Sequence, residues 1–430
     1  MPVRPNIIII YADDLGWGDL GCYGADELST PAIDTLAENG VRFTDWYSNS
    51  PVCSPSRASL LTGRYPAHCG VESILGGTRR TPGLKPQRTL ADSLRGQGYT
   101  TGIFGKWHLG ADPTYGPLKY GFDTHFGFRA GCVDYYSHIF YWNDHNPIHD
   151  LWEDDEEVWR NGEYLTTIVA ERAAGFIEDH SDGPFLCYVP FNAPHYPLHA
   201  PEHYVSQFSH LPEDRRMMAA MIKAMDDGVG HIMGTLERLG LREDTLVFFS
   251  SDNGPSTEER NWLNGEEVSY MGGSAGGLRG HKGSVFEGGI RVPAIISWPR
   301  NIGPGQEITT AGVMMDVAPT VLDAVGCPPE SDIDGRSMLG TLLGADAPER
   351  TIFWEYEQQS ACRSGRWKLV LGAIESLQGP VVVEAALFDL MTDPSEQNDV
   401  QADYPDMFER LSSQLRAWSA ENASLRNEHE

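Results

Sequence analysis

Ile7-Ile8-Ile9-Ile10-Tyr11-Ala12-Asp13-Asp14-Leu15-Gly16-Trp17-Gly18-Asp19 decides the fold. Its first five residues are continuously apolar, so a strand formed there must be covered on both faces. The run stops at two consecutive carboxylates, which makes it a buried strand and not a signal peptide. No stretch of the sequence is long enough to cross a bilayer. Working outward, Thr100–Phe104, Phe185–Pro190, Thr245–Ser250 and Ala294–Ser297 are runs of the same kind and are expected to be parallel strands. Helical patterns lie between them. Thr30–Asn39 opens on Thr then Pro and is stopped by Gly40, Thr89–Gln97 and Tyr164–Asp179 are amphipathic, and Arg215–Gly240 is long. This alternation predicts an α/β fold, a large mostly parallel sheet sandwiched by helices.

In such sheets functional side chains gather beyond the carboxyl ends of the strands. Asp13-Asp14, Lys106 with His108, His195, and Asp252-Asn253 each follow an apolar run. Near residue 330 the composition changes: Pro328-Pro329 and Asp332–Gly335 read as a linker. Beyond it Thr351–Tyr356, Trp367–Leu371, Ala386–Leu390 and a helix over Pro405–Ala420 predict a small antiparallel sheet plus helix. The expected division is a catalytic α/β domain over 1–335 and a C-terminal α+β subdomain over 336–430.

The chain carries 32 basic and 61 acidic residues, a net charge of −29. Such a surface repels nucleic acid and anionic membranes, which excludes both as partners, and any anion site must be a local basic focus. The seven cysteines are scattered without a C-x-x-C pair, against a zinc ribbon or a dense disulfide framework, although one pair could bridge in an oxidising compartment. As written the chain is expected in the cytoplasm, or in the periplasm or outside the cell if a leader was trimmed.

The chemistry concentrates in a few segments. Cys53-Ser54-Pro55-Ser56-Arg57 continues through Ala58-Ser59-Leu60-Leu61-Thr62-Gly63-Arg64. Asp13-Asp14 and Asp252-Asn253 offer hard oxygen ligands, suited to Ca²⁺ or Mg²⁺ and unsuited to zinc or copper. Lys106 and His108, in Gly105-Lys106-Trp107-His108-Leu109-Gly110, share a face on an extended segment. His195, His199 and His203 recur every fourth residue, but Pro194, Pro197 and Pro201 forbid the helix that a metal stripe would need. Lys282 sits between glycines in Arg279-Gly280-His281-Lys282-Gly283, and Arg291 downstream reads as structural.

The C-x-P-x-R run with L-T-G-R downstream resembles the type I sulfatases of the alkaline phosphatase superfamily, and the matches continue in order through the Lys282 segment. Leu387-Phe388-Asp389-Leu390 with Asp393-Pro394 and Glu396 resembles the C-terminal signature of that family. The resemblance implies a sulfuric ester hydrolase in which a formylglycine-generating enzyme oxidises Cys53 to an aldehyde. Its hydrate has two hydroxyls on one carbon: one attacks sulfur, and deprotonating the other expels sulfate by C–O cleavage. It further implies one Ca²⁺, with Mg²⁺ less favoured, on Asp13, Asp14, Asp252, Asn253 and residue 53. Lys106 and Lys282 would bind sulfate, with Lys282 also on the leaving-group oxygen, and Arg57 would add a third positive charge to the single cation of the catalytic site. His108 would be the base that eliminates sulfate, and His195 would contact the bridging oxygen and protonate the leaving alcohol.

Gly127-Phe128-Arg129-Ala130-Gly131 with Asp134-Tyr135-Tyr136-Ser137-His138 resembles the arylsulfatase B branch, which removes 4-sulfate from N-acetylgalactosamine. On that likeness Asp134, His138 and the loop Glu258–Gly273 are expected to line the leaving-group pocket. The acidic surface favours short sulfated fragments, cut from an end. Two other readings stand beside this one. A phosphonate or phosphodiester hydrolase uses the same fold and aldehyde, although ligands for a single cation suit a singly charged ester. A silent carbohydrate-binding relative would be expected to lack Cys53, Lys106 or His108. Oligomeric state is not readable from the sequence.

Overall fold

Burial organises the molecule around β1 (Asn6–Ala12), which is buried along its whole length. The structure, a computed structural model, describes residues 4–142, 147–257, 270–328, 332–347, 349–376 and 379–428. The side chains of β1 alternate between two layers, as a pleated strand requires. Ile8, Ile10 and Ala12 join one apolar cluster, while Ile7, Ile9 and Tyr11 join another. Each of the four fully buried isoleucines contributes about 1.5–3 kcal/mol of transfer free energy.

Among the described residues, the longer helices that cover the two faces are α1 (Pro31–Glu38), α2 (Cys53–Thr62), α3 (Leu90–Gly96), α4 (Leu165–Asp179), α5 (Glu213–Arg238) and α6 (Val317–Ala324). The first cluster is closed by Ile168 and Val169 of α4 with Met221, Met225 and Val229 of α5. The second is closed by Leu60 and Leu61 of α2, Leu90 and Leu94 of α3, and Val321 and Leu322 of α6. Thr30 does not cap α1 with its side chain. Instead Asp226, from α5, accepts from the amides of Ala32 and Ile33 at 3.0 and 2.9 Å, satisfying the helix terminus from a neighbouring element.

Among the described residues the main sheet has ten strands. After β1 come β2 (Val41–Phe43), β3 (Thr100–Lys106), β4 (Thr124–Phe128), β5 (Trp152–Glu153) and β6 (Glu156–Glu157). They are followed by β7 (Phe185–Pro190), β8 (Thr245–Ser251), β9 (Ala294–Ser297) and β10 (Gln306–Ile308). The order across the sheet is β10-β2-β9-β8-β1-β7-β3-β4-β5-β6, and the five strands from β8 to β4 are parallel. β9 departs from expectation because it runs antiparallel to β8. An apolar run records burial but carries no direction. The chain enters β9 from the Glu287–Ile290 turn, which already lies at the carboxyl end of β8, as the hydrogen bond from the Gly254 amide to the Gly289 carbonyl shows.

The C-terminal sheet is antiparallel in chain order, β11 (Thr351–Tyr356), β12 (Gln359–Ser364), β13 (Trp367–Ser376) and β14 (Gly379–Asp389), and is followed by α7 (Pro405–Glu428). One face packs Leu369 and Leu387 on Leu411 and Leu415 of α7, and the other packs Ile352, Trp354 and Val370 on Val285, Phe286 and Ile290 of the main body. Buried polar contacts fix this docking. The Lys368 ammonium lies 2.8 Å from Glu287 and 2.9 Å from Glu396, with all three side chains at 0% exposure. Arg291 is structural, pairing with Glu287 at 2.7 Å and Asp45 at 3.1 Å. Removing one member of such a buried pair leaves an uncompensated charge. Lys368→Ala is therefore expected to cost about 3–5 kcal/mol of stability, read from the denaturant midpoint; a loss below about 1 kcal/mol would contradict this role for the pairing.

Candidate active site

The parallel strands deliver the chemistry to one edge of the sheet. β1 releases the chain at Asp13-Asp14, β3 ends on Lys106 and leads to His108, β7 leads to His195, and β8 leads to Asp252-Asn253. Cys53 is the first residue of α2, so the positive end of that helix points at the same place, with no side chain capping it. All ten residues of α2 are buried. The small residues of the C-x-P-x-R run tie its approach loop down: the Ser56 hydroxyl donates to the Ser50 carbonyl at 2.9 Å, and Ser54 Oγ accepts from the Leu75 amide at 3.1 Å. Asp14 and His108 have φ of 64° and 54°, left-handed backbone that costs on the order of 1 kcal/mol each and turns these side chains inward.

Every buried charge in this cluster has an opposite partner. Lys106 Nζ lies 2.9 and 2.7 Å from the two oxygens of Asp13. Arg57 donates to Asp252 Oδ2 from Nε at 3.0 Å and from Nη2 at 2.6 Å, and its Nη2 stands 3.4 Å from Asp13. Lys282 Nζ donates to Asp14 Oδ2 at 3.0 Å and stands 3.4 Å from His195 Nε2. Burial would lower the Lys106 pKa, but the Asp13 and Cys53 charges outweigh it and raise it. The Cys53 thiol is pushed up to about 12, by burial first and by Asp252 and Asp13, against the pull of Lys106 and Lys282. As a thiol, residue 53 is therefore a poor nucleophile at neutral pH.

The donor set fits a hard divalent ion. Ligand atoms of Asp13, Asp14, Cys53 and His195, all buried, lie within 4.8 Å of one another. Asn253 donates through Nδ2 to Asp14 Oδ1 at 2.7 Å, and its Oδ1 is buried without a hydrogen-bond partner among the described residues. An orphaned amide oxygen beside carboxylates is what an oxygen-seeking cation would satisfy. Asp252 sits against the same group, its Oδ1 accepting from the Asp14 amide at 3.1 Å.

The two histidines are neutral and oppositely oriented. His108 Nε2 donates to the Leu75 carbonyl at 3.0 Å, so Nδ1 carries the lone pair, buried and unpartnered among the described residues. His195 donates from Nδ1 to the Tyr196 carbonyl at 2.6 Å, leaving its Nε2 facing Lys282. Burial holds both well below the usual imidazole range, reinforced by Lys106 and Arg57 at His108 and by Lys282 and Lys106 at His195.

A cavity of about 150 Å³ opens beside Cys53, His108, His195 and Lys282. The rest of its lining, including Leu75, Phe140, Trp142 and Tyr196, was not singled out from the sequence. Asp134 and His138 do not line this cavity. Asp134 Oδ1 accepts from the Tyr136 and Ser137 amides at 3.0 and 2.7 Å and Oδ2 from the Ile139 amide at 2.9 Å, which makes it the organiser of a turn. His138 is fully buried, its Nε2 donating to the Glu163 carbonyl at 3.2 Å. Of the loop Glu258–Gly273, residues 258–269 lie outside the described residues, and Tyr270 is buried. None of the seven cysteines is in a disulfide.

A parallel sheet bearing this cation-ready cluster, with cationic side chains facing a helix-borne residue 53, defines a hydrolase of anionic esters with the alkaline-phosphatase-like fold. The sulfatase family profile matches residues 5–327, and that of the N-sulphoglucosamine sulphohydrolase C-terminal region matches 280–421. The chain belongs to the sulfatase family. It is 36% identical to the N-acetylgalactosamine-6-sulfatase of Sus scrofa, over 82% of this chain and 69% of that one. It is 33% identical to the arylsulfatase A of Bos taurus, over 91% of this chain and 82% of that one. The crystal structure of Ps i-CgsB superposes with a TM-score of 0.87 at 30% identity, covering 97% of this chain and 93% of that one. The phosphonate monoester hydrolase of Agrobacterium radiobacter, at 20% identity and a TM-score of 0.65 over 99% of this chain and 96% of that one, shares the fold. The protein is thus an enzyme that hydrolyses sulfate esters, in a family that uses formylglycine and a metal ion.

Gly131 faces the His108 ring so closely that a Cβ there would stand 2.7 Å from Nε2. On the sequence expectation that His108 takes part in the reaction, Gly131→Ala should displace the ring and lower kcat about 100-fold with little change in unfolding temperature, the scale of effect of an about 1 Å misplacement. Unchanged kcat would show that the ring position does not matter.

Proposed function

We propose that the nucleophile is formylglycine made from Cys53, that the ion is a single Ca²⁺ on Asp13, Asp14, Asp252, Asn253 and residue 53, and that the natural substrate is a sulfated glycan fragment. The observation that carries this reading is the convergence of three buried carboxylates, three buried cations and two neutral histidines on one residue. Formylglycine supplies a geminal diol; the ion supplies charge that neutralises the sulfuryl oxygens. Lys106 and Lys282 hold the sulfate, and Arg57 locks Asp252 and Asp13 in place. His108, neutral and with a bare Nδ1, is equipped to take the proton whose loss releases sulfate. Lys282, held between Asp14 and His195 Nε2, faces the leaving-group oxygen and stabilises the negative charge that develops there; His195, with its proton on Nδ1 toward the Tyr196 carbonyl, aligns that ammonium group, a different role from the proton donor that the resemblance implied.

The glycan reading rests on the cavity. Trp142, 40% exposed, stacks on Tyr196 with ring centroids 5.8 Å apart, and Phe140 stands on the same lining. Aromatic faces of this kind cover the apolar C–H face of a sugar ring while the cationic floor takes its sulfate. Relatives named for N-acetylgalactosamine-6-sulfate, and a crystal structure of Ps i-CgsB in complex with k-i-k-neocarrahexaose, favour the same class. The formylglycine-generating enzyme is the maturation partner this reading requires.

Cys53→Ala should lower kcat on the order of 10⁴-fold or more with an unchanged fold. His108→Ala should accumulate a covalent sulfo-enzyme, about 80 Da heavier, and normal turnover by that variant would refute its role as the base. Stripping the ion with a strong chelator should stop turnover, and Ca²⁺ should restore it; restoration by Mg²⁺ alone would overturn the choice of ion. Screening the converted enzyme on defined 4- and 6-sulfated N-acetylgalactosamine mono- and disaccharides should find a turned-over sugar, and hydrolysis of aryl sulfates alone would remove the glycan assignment.

A further inference from the structure

Lys282 lies on a loop and not at a strand end, so something outside the sheet must fix it. Two backbone bonds come from the main body: the Lys282 amide donates to the Pro255 carbonyl at 3.0 Å and the Gly283 amide to the Pro51 carbonyl at 2.9 Å. Immediately after the lysine, the chain is gripped by a side chain of the other subdomain. Gln359, first residue of β12 and 6% exposed, donates through Nε2 to the Gly283 carbonyl at 2.9 Å, while its Oε1 accepts from the Val285 amide at 3.2 Å. Both arms of one carboxamide are spent on one short stretch of loop.

We propose that Gln359 is a positioning residue for catalysis, a clamp by which the C-terminal sheet sets the reach of the Lys282 ammonium toward the leaving-group oxygen. The clamp sits at the β11–β12 hairpin, where Tyr356 pairs with Gln359 across the strands. That hairpin lies near the site: the Tyr356 phenol is pushed up by burial first and by its neighbour Glu357, and then, more weakly, feels Cys53 and Lys282. Leu, of nearly the same size, would keep the packing and remove both hydrogen bonds. The backbone of Gly283 and Val285 would then lose its partners, and the ammonium would drift from a geometry in which tenths of an ångström count. This inference rests on the reading of Lys282 as the group that stabilises the leaving oxygen.

The test is the dependence of kcat/KM on leaving-group pKa, measured with a series of substituted phenyl sulfates on formylglycine-containing enzyme. The wild type, Gln359→Leu, Gln359→Ala and Lys282→Ala are compared, with the unfolding temperature of each. Lys282→Ala should steepen the dependence, because an unassisted leaving group is penalised more as its pKa rises. Gln359→Leu should steepen it in the same sense by a smaller amount, with at least tenfold more loss on phenyl sulfate than on 4-nitrophenyl sulfate. A steeper slope in both variants supports the clamp. A slope unchanged in Gln359→Leu and Gln359→Ala, beside a steeper one in Lys282→Ala, overturns it and leaves Gln359 a packing residue whatever its unfolding temperature. A slope unchanged in Lys282→Ala overturns the reading of the lysine and the clamp with it.

Discussion

Three carboxylates held away from water at the edge of one sheet are the constraint on which this molecule turns. Asp13, Asp14 and Asp252 are each at 0% exposure, and buried ionised groups are tolerated only when paired. Arg57, Lys106 and Lys282 provide the pairing one for one. The cluster is therefore close to neutral by itself, and a divalent cation would make it a positive focus inside a chain of net charge −29. That focus resolves how so acidic a protein attracts a sulfate ester: long-range repulsion is overcome by charge confined to a water-poor site, where it acts with little screening.

The rest of the fold follows from keeping that cluster in place. β1 must be central and apolar on both sides because it ends on two of the carboxylates. The strands beside it, β7 and β8, end on the approaches to His195 and Asp252. α2 is buried throughout because its first residue must project residue 53 into the cluster and its fifth must return Arg57 to Asp252. The C-terminal sheet is bound by the same logic at longer range. Lys368 and Arg291 neutralise Glu287 just beyond the lysine loop, and Gln359 holds the loop itself.

Much of this was legible in the sequence, for identifiable reasons. Continuous apolar runs that stop at charged residues disclosed both the parallel centre and the site residues, since burial on two faces and strand ends are local properties. The pairings were not legible: nothing near Lys106 announces Asp13, nothing near Lys368 announces Glu287, and the antiparallel direction of Ala294–Ser297 leaves no mark on its composition. Gln359–Ser364 escaped notice because Gln-Ser-Ala-Cys-Arg-Ser lacks an apolar run, its burial coming from partners far along the chain. Asp134 and His138 resembled pocket residues by motif alone, whereas the Asp134 oxygens are engaged in a local turn and His138 Nε2 in a bond to the Glu163 carbonyl. Trp142 and Phe140 gave no signal, because an aromatic residue in a loop reads the same whether it lines a cavity or fills a core.

The central claim, that residue 53 works as an aldehyde hydrate seated in this cluster, is met most directly by mass spectrometry of the tryptic peptide ending at Arg57 from a fully active preparation. Conversion of the cysteine predicts a peptide about 18 Da lighter than the encoded sequence, in a fraction that rises in proportion to specific activity. An unmodified thiol at residue 53 in fully active enzyme would contradict it.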